Sequence, residues 1–245
     1  MRDQTLASSA LALTTLLAVA VPALAGSFSV YPMRLALSAK QPVASLEVHN
    51  NGSEPAVVQL QVVDWTQADD GDVYGETSEV LATPPILTVP PGGSRVVRVG
   101  LRRNPDAQHE LSYRLYMQEL PPPQPPEPEG MRMTLRIGVP VFVAASAKAK
   151  PEFHWRSVAT SDGGIKLSLA NGGNEHIKIR DLELSSADGA HSSGVQNVTT
   201  YVLSGKHREW LLKMDAPLNT GVPLRVKAHT DGNFELEANL TLEAT

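Results

Sequence analysis

The chain has 245 residues, of which 42% are hydrophobic and 19% are charged, and its formal net charge at pH 7 is -5. A slightly acidic chain without basic clusters argues against nucleic-acid binding, because a nucleic-acid-binding surface needs many lysines and arginines to neutralise phosphates. The chain has no cysteine, which excludes disulfide bonds and thiolate metal sites, so packing alone must hold the fold.

The N-terminus has the pattern of a secretory signal peptide. A short polar start with one arginine precedes the apolar run LASSALALTTLLAVAVPALA, which ends in small residues before Gly26. This pattern predicts export with cleavage after Ala25. An uncleaved membrane anchor is the alternative, although the fully apolar part is shorter than the ~20 residues that a span requires. No later segment has the pattern of a membrane span.

The first half of the chain contains seven segments that alternate apolar and polar residues, with Asn, Gly and Pro between them. Such spacing is typical of β-sandwiches, and seven is the strand number of an immunoglobulin-like domain. The segments are FSVYPMRLAL, ASLEVHN, AVVQLQVVDW, EVLATPP, SRVVRVGL, LSYRLYMQEL and MRMTLRIGVPVFV.

A second series of strands follows the small, polar stretch AASAKAKP. The series reads EFHWRSVAT, GIKLSLANGG, HIKIRDLELSS, GVQNVTTYVLSG, REWLLKM, PLRVKAHT and FELEANLTLEA. We therefore predict an all-β chain of two immunoglobulin-like β-sandwich domains set at an angle, residues 26–146 and 151–245, after a signal peptide of residues 1–25. LEVHNNGSEPAVVQLQV and LSLANGGNEHIKIRDLEL share the order strand, Asn-Gly turn, strand, which indicates related domains.

The last predicted strand of the first domain carries an unusual apolar row. It follows PPPQPPEPEG, which we interpret as an exposed connector because prolines favour extended conformations and cannot donate ladder hydrogen bonds. Every second residue of the strand is apolar and lies on one sheet face. We interpret the later members as core, and we expect the earlier ones to form an exposed row, namely Met131, Met133, Leu135 and Ile137.

Motifs for catalysis and for metal binding are absent from the sequence. None of the seven histidines has the spacing of paired metal ligands, and no nucleophile elbow, phosphate loop or dinucleotide motif is present. The acidic run DDGD at residues 69–72 lacks the alternating ligands and closing glutamate of a calcium loop, so we interpret it as a solvated turn. We predict no enzyme activity, no metal and no cofactor.

Several stretches together resemble the periplasmic pilus-assembly chaperones of the PapD-like family. VLATPPILTVPPGGSRVVRVG resembles the family's proline-bearing strand, its Pro-Gly turn and the next strand with its arginine, here Arg98. YRLYMQELPP is similar to the family strand that ends in a glutamate, here Glu119, and prolines. VYPMRLAL places Arg34 at the family's first-strand arginine, and QVVDW places Trp65 in the third strand. The resemblance covers residues 27–145.

The resemblance implies a periplasmic chaperone without cofactors that binds a pilus or fimbrial subunit by donor-strand complementation and delivers it to an outer-membrane usher. In this family the alternating apolar residues of the last strand complete the sandwich of a subunit that lacks its own final strand. Here those residues would be Met131, Met133, Leu135 and Ile137. Each donated side chain would contribute roughly 1.5 to 3 kcal/mol on burial.

The resemblance also implies anchoring residues. Arg34 would bind the subunit's C-terminal carboxylate together with a lysine on the last strand, but a gapless match puts Pro140 at the lysine position. Arg136, on the same strand, and Arg114, on the neighbouring strand, are the candidates for a second anchor. A further set matches the family's interdomain salt bridge, namely Arg98, Glu119 and Asp231.

Two other functions stay open from the sequence. A secreted two-domain binding module for carbohydrate or protein would require aromatic residues clustered on a surface, whereas aromatics make up only 5% of this chain. A secreted hydrolase would require carboxylates, or a nucleophile with its histidine, that meet only in the folded protein.

Overall fold

A computed structural model describes residues 28–121, 134–232 and 234–244. Throughout these residues the chain is all β, as predicted, with seventeen strands and no helix. Accordingly, no helix within these ranges is long and apolar enough to cross a membrane.

Ten strands form the N-terminal sandwich, and alternating apolar residues from its two sheets fill the core between them. One sheet has the order β1-β3-β8-β6, and the other has the order β2-β10-β9-β4-β5, with β7 also paired to β4. The strands are β1 (Phe28–Tyr31), β2 (Leu35–Leu37), β3 (Val43–Asn50), β4 (Ala56–Ala68), β5 (Gly71–Glu76), β6 (Val80–Thr83), β7 (Ile86–Val89), β8 (Ser94–Leu101), β9 (Leu111–Leu120) and β10 (Arg136–Val143).

Proline divides one of the predicted strands and separates another from a strand that is not predicted. The segment FSVYPMRLAL is predicted as one strand, but β1 belongs to the first sheet and β2 to the second. Pro32 lies between them, and because proline has no N–H the ladder cannot continue through it. Pro84 and Pro85 likewise separate β6 from β7, and β7 is absent from the sequence prediction.

The acidic run at 69–72 is only partly a turn. Asp69 and Asp70 form the turn, and Gly71 begins β5, which is also absent from the sequence prediction. β5 is mostly exposed, so it lacks the apolar alternation by which strands are recognised. Asp72 pairs with Arg208 of the C-terminal sandwich, and the interpretation as a merely solvated turn is therefore wrong for this residue.

Seven strands form the C-terminal sandwich, at the seven segments that the sequence predicts. The sets β14-β13-β16-β17 and β11-β12-β15 are joined by a short parallel pairing of Ser157 and Val158 with Leu242 and Glu243. Both sets contribute to one core. The strands are β11 (Phe153–Ala159), β12 (Ile165–Asn171), β13 (Ile177–Ser186), β14 (Gln196–Val202), β15 (His207–Leu212), β16 (Pro223–Thr230) and β17 (Glu235–Glu243).

A buried asparagine closes the same turn in both sandwiches. The Asn50 side-chain amide donates to the carbonyls of Glu54 (2.7 Å) and Val89 (3.0 Å), and its oxygen accepts from the Gly52 N–H at 2.8 Å. Asn171 donates to the carbonyls of residues 175 (2.8 Å) and 202 (3.1 Å) and accepts from the N–H of residue 173 at 3.0 Å. The repeat seen in the sequence is therefore a repeated hydrogen-bond motif, and it does not depend on left-handed glycines.

An aromatic cluster packs the two sandwiches against each other. Trp65 and Phe142 of the N-terminal sandwich are buried with Leu203, and Tyr201 packs on the same cluster. The ring centroids of Trp65 and Tyr201 are 5.4 Å apart in an edge-to-face arrangement. Phe142 also stacks on His176, with 3.5 Å between ring centroids. This apolar contact joins the outer face of one sheet to the C-terminal sandwich.

Polar contacts surround this cluster and fix its register. The Gln67 amide donates to the Tyr201 carbonyl at 3.0 Å, and its oxygen accepts from the Leu203 N–H at 3.0 Å, so the side chain pairs with the backbone as a neighbouring strand would. His176 forms a contact of 2.6 Å from its Nδ1 to the Glu110 carboxylate. The two Gln67 bonds hold the C-terminal end of β14 beside β4 of the N-terminal sandwich.

Candidate functional site at the open edge of β10

One edge of β10 is open at its N-terminal half. β10 pairs with β9 from Arg136 to Val143, but on its other side β2 pairs only with Val141–Val143. The backbone of residues 136–140 is therefore unpaired on that side within the described part of the chain, and we call it the open edge. Unpaired backbone groups of this kind form a template for another strand.

The phase of the hydrogen bonds identifies the outward-facing groups. Glu119 donates its N–H to the Leu135 carbonyl at 2.9 Å, so residues 135, 137 and 139 point their backbone groups towards β9, and the alternate residues point theirs outward. Arg136, Gly138 and Pro140 are the outward members. Because the N–H of residue 140 would point away from β9, the proline there removes no hydrogen bond to β9.

The apolar row of β10 changes from core to half-buried along the strand. Val139, Val141 and Val143 are fully buried, as predicted. Leu135 and Ile137 are half-buried and pack at the margin of the same core, so they are less exposed than predicted, although part of each side chain stays available. Met131 and Met133 lie outside the described residues. The donor role of the four residues stays a prediction.

Arg34 bridges the two sandwiches from a position beside the open edge. Its Nη1 lies 2.8 Å from Asp231 Oδ2, and the two side chains are 51% and 32% exposed. Arg34 immediately precedes Leu35, which pairs with Val141 of β10. The guanidinium is thus accessible and held in place by a partner that is itself exposed.

The predicted salt bridge of Arg98, Glu119 and Asp231 does not form. Arg98 lies on the exposed outer face of β8, in the sheet opposite β9, and forms no ion pair within the described residues. Glu119 accepts a hydrogen bond from the Leu135 N–H at 3.2 Å. Asp231 pairs with Arg34 instead. Arg98 on β8 and Glu119 on β9 lie in different sheets, so the salt-bridge prediction is wrong.

Arg114 lies directly across from Pro140, the position at which the resemblance implies a lysine. It pairs in register with Pro140, so Arg34 and Arg114 stand on either side of that residue, and we call them the arginine pair. The Arg114 side chain is 16% exposed and lies 3.9 Å from Asp72, and its guanidinium sits 4.0 Å above the Trp65 ring. Its buried Nε has no hydrogen-bond partner in the described part of the structure.

Both arginines act electrostatically on Tyr201. Burial raises the pKa of the Tyr201 hydroxyl, and the positive charge of Arg34 opposes this rise; the Asp231 carboxylate adds to the rise and Arg114 also opposes it. Lys178 Nζ lies 5.3 Å from the centroid of the Tyr201 ring. The junction between the sandwiches therefore brings three cations, Arg34, Arg114 and Lys178, and the Asp231 carboxylate near Tyr201.

Arg136 belongs to a second group farther along the strand. Its guanidinium sits 4.0 Å above the Tyr116 ring, and Tyr116 contacts Tyr74 edge to face, with 5.9 Å between ring centroids. Burial raises the pKa of Tyr74 to about 12, and the charge of Arg114 opposes this rise. Because Arg136 is four residues from Pro140, about 13 Å along a strand, it is not beside Arg34. Of the two candidates for a second anchor, only Arg114 lies in the same row as Arg34.

Sequence reasoning missed the contributions of the C-terminal sandwich to this site. Tyr201 and Lys178 lie in strands with an ordinary alternating pattern. Only the packing between sandwiches brings them to the arginine pair. No spacing along the chain marks them.

Comparisons with known proteins support the fold and a family. Residues 27–147 match the family described as pili and flagellar-assembly chaperone, PapD N-terminal domain. No curated protein sequence matches the chain.

Solved structures extend the likeness to both sandwiches. A chain of the CsuC–CsuE chaperone–tip adhesion subunit complex from archaic Csu pili of Acinetobacter baumannii is 20% identical with a TM-score of 0.67, covering 90% of this chain and 100% of that one. The SafA pilin–SafB chaperone structure from Salmonella enterica is 17% identical with a TM-score of 0.60, covering 89% of this chain and 97% of that one. The Pseudomonas aeruginosa CupB2 chaperone is 18% identical with a TM-score of 0.57, covering 87% of this chain and 100% of that one. These likenesses confirm the predicted pair of immunoglobulin-like sandwiches.

Proposed function

Because the chain belongs to the PapD-like family of pilus-assembly chaperones, we propose that it is a periplasmic chaperone that completes a pilus or fimbrial subunit by adding β10 to it. A subunit that lacks its last strand exposes a groove with unpaired backbone groups and a bare core. The family consists of assembly chaperones and not of enzymes, so the hydrolase alternative is wrong.

The open edge of β10 is the observation that carries this proposal. It offers outward backbone groups at Arg136 and Gly138, next to the half-buried side chains of Leu135 and Ile137. A subunit strand on this edge would pair with the backbone and cover the exposed part of those side chains. Complexes of a chaperone with a tip adhesion subunit and of a chaperone with a pilin are among the similar structures, which supports a subunit as the partner.

The arginine pair would bind the subunit's C-terminal carboxylate. Arg34 can leave Asp231 at little cost, because ion pairs between exposed side chains contribute about 0 to 1 kcal/mol. Asp72 is shared by Arg114 and Arg208, so two cations face one carboxylate and a positive charge is left over. This arrangement supplies the second cation that Pro140 cannot supply.

The remaining steps of the proposal come from the family. Residues 1–25 would direct export and be removed, leaving domains of residues 26–146 and 151–245 in the periplasm. The chaperone would deliver its subunit to an outer-membrane usher, where the next subunit's extension replaces the donated strand, so no nucleotide or other cofactor is needed.

Binding to a groove-filled subunit tests the proposal. One fimbrial subunit is produced in two forms, the native form and a form in which a donor segment fused to its own C-terminus fills the groove. Co-expression in the periplasm should give a chaperone complex with the native form alone. Equal capture of both forms would contradict strand addition and favour a general binding module.

A further inference from the structure

A third cation, Arg136, stands on the same sheet face as the arginine pair. Arg136 and Arg114 both occupy outer-face positions of their strands, where they alternate with half-buried residues in β10 and with buried core residues in β9. Each guanidinium sits 4.0 Å above an aromatic ring, Tyr116 for one and Trp65 for the other. Stacking of this kind fixes the position of a charge that would otherwise move with a long side chain.

The ring of Tyr116 places the Arg136 guanidinium nearer to the arginine pair than its backbone is. Tyr116 pairs in register with Gly138, two residues from Pro140. The Arg136 charge therefore lies two to four residues from Pro140 along the strand, a distance of about 7 to 13 Å. Glu119 of the neighbouring strand β9 alternates with Arg114 and Tyr116, so its position belongs to the other sheet face, and its carboxylate accepts a hydrogen bond from the Leu135 N–H. Arg136 forms no ion pair among the described residues.

The open edge determines the direction of an added strand. β2 occupies the edge from Val141 onward, so a segment whose carboxyl end lies at the arginine pair has room only alongside residues 136–140. Its preceding residues must pass Gly138 and then Arg136, which makes it parallel to β10. Parallel neighbours advance by the same rise per residue.

Gly138 leaves room for the Tyr116 ring on the outer face of the sheet. A Cβ at that position would lie 3.0 Å from Tyr116 Cε1 and 3.4 Å from Arg114 Cδ, so a side chain there would shift the Tyr116 ring by a few tenths of an ångström. Without one, the ring can lie over the strand and carry the Arg136 guanidinium. A glycine inside a strand is also typical of a close approach by another backbone.

We infer that Arg136 selects subunits that carry an aspartate or glutamate two to four residues before their C-terminal carboxylate. This inference rests on the proposed function, and it assigns the two cationic centres different tasks. The arginine pair binds the terminal carboxylate that every subunit has. Arg136 reads a side chain, which differs from one subunit to another.

Synthetic peptides test the inference. The probes are extended peptides of about ten residues, alternating Thr and Val, with a free carboxylate and one glutamate moved through the last six positions. Each has a matched glutamine peptide and an amidated counterpart. Dissociation constants are measured by fluorescence anisotropy with the wild-type chain, Arg136→Gln, Arg136→Lys and the control Arg95→Gln, an exposed arginine of the other sheet.

We expect glutamate to bind about 2- to 5-fold tighter than glutamine at alternate positions between two and four residues before the end. Arg136→Gln should abolish this preference without changing the glutamine peptides, whereas Arg136→Lys and Arg95→Gln should keep it. Equal dissociation constants for the glutamate and glutamine peptides at every position would overturn the inference. Equal binding of free and amidated peptides, or no binding by any of them, would contradict the proposed function itself.

Discussion

Replacing Arg34 with alanine should weaken carboxylate binding far more than it weakens the fold. The Arg34 side chain is 51% exposed and its ion-pair partner Asp231 is 32% exposed, so the free energy of unfolding should fall by at most about 1 kcal/mol. A charge-assisted hydrogen bond to a carboxylate contributes about 1.5 to 3 kcal/mol. Its loss should therefore raise the dissociation constant by about 10- to 150-fold.

Arg114→Ala provides an informative comparison. It should cause a similar loss of carboxylate binding, but a larger loss of stability, because this side chain is 16% exposed and stacks on Trp65. Arg95→Ala is the control, since Arg95 is exposed and its Nη1 donates to the Ser94 carbonyl. Arg34→Lys should keep part of the binding, because a lysine retains the charge and loses the planar fork.

The assay compares peptides that end in a free carboxylate with the same peptides amidated. Wild type should prefer the free carboxylate, and Arg34→Ala should lose most of that preference while its melting temperature stays close to wild type. An unchanged preference in Arg34→Ala would refute the anchor assignment. A large fall in melting temperature would show that Arg34 is a structural residue of the interdomain contact.

Three further predictions concern stability and domain orientation. Asn50→Ala and Asn171→Ala should each lower the free energy of unfolding by roughly 2 to 4 kcal/mol, since each leaves buried backbone groups unpaired; a urea titration showing less than about 1 kcal/mol would contradict this. Gln67→Ala removes both bonds to the backbone of Tyr201 and Leu203 and should broaden the small-angle scattering distance distribution, whereas an identical distribution would show that the aromatic cluster alone fixes the orientation. A hydrogen bond from Tyr113 holds the pKa of Glu79 below its usual range. The ionised Glu79 therefore stabilises the fold fully above the ordinary glutamate pKa, and this contribution to the free energy of unfolding is lost as the pH falls through the lowered pKa of the folded state. Glu79→Gln should flatten that acid dependence in thermal unfolding, and an unchanged pH profile would exclude this source.

The alternation of apolar and polar residues, with Asn, Gly and Pro between the segments, is sufficient to locate most strands. The fully buried Val139, Val141 and Val143 and all seven strands of the C-terminal sandwich follow from the period of two. The prediction failed where that period carries no information. β5 is exposed on nearly every residue, and Pro32 moves the chain between sheets within one apolar run.

The site was predictable only as far as neighbouring strands determine it. A gapless match identified Pro140 as a departure, and the antiparallel register then puts Arg114 opposite it. The partner of Asp231 could not be predicted in this way, because Arg34 and Asp231 are 197 residues apart and meet only through the packing of the two sandwiches. That packing depends on buried contacts such as Trp65 with Tyr201, which no local pattern encodes.

Amide hydrogen exchange along β10 tests most directly whether a subunit strand is added to the open edge. The outward N–H groups of Arg136 and Gly138 should exchange fast in the free chaperone and slowly in the subunit complex. Ile137 and Val139, which point towards β9, should be protected in both states and serve as internal controls. Equal exchange of Arg136 and Gly138 in the free and bound states would contradict strand addition at this edge.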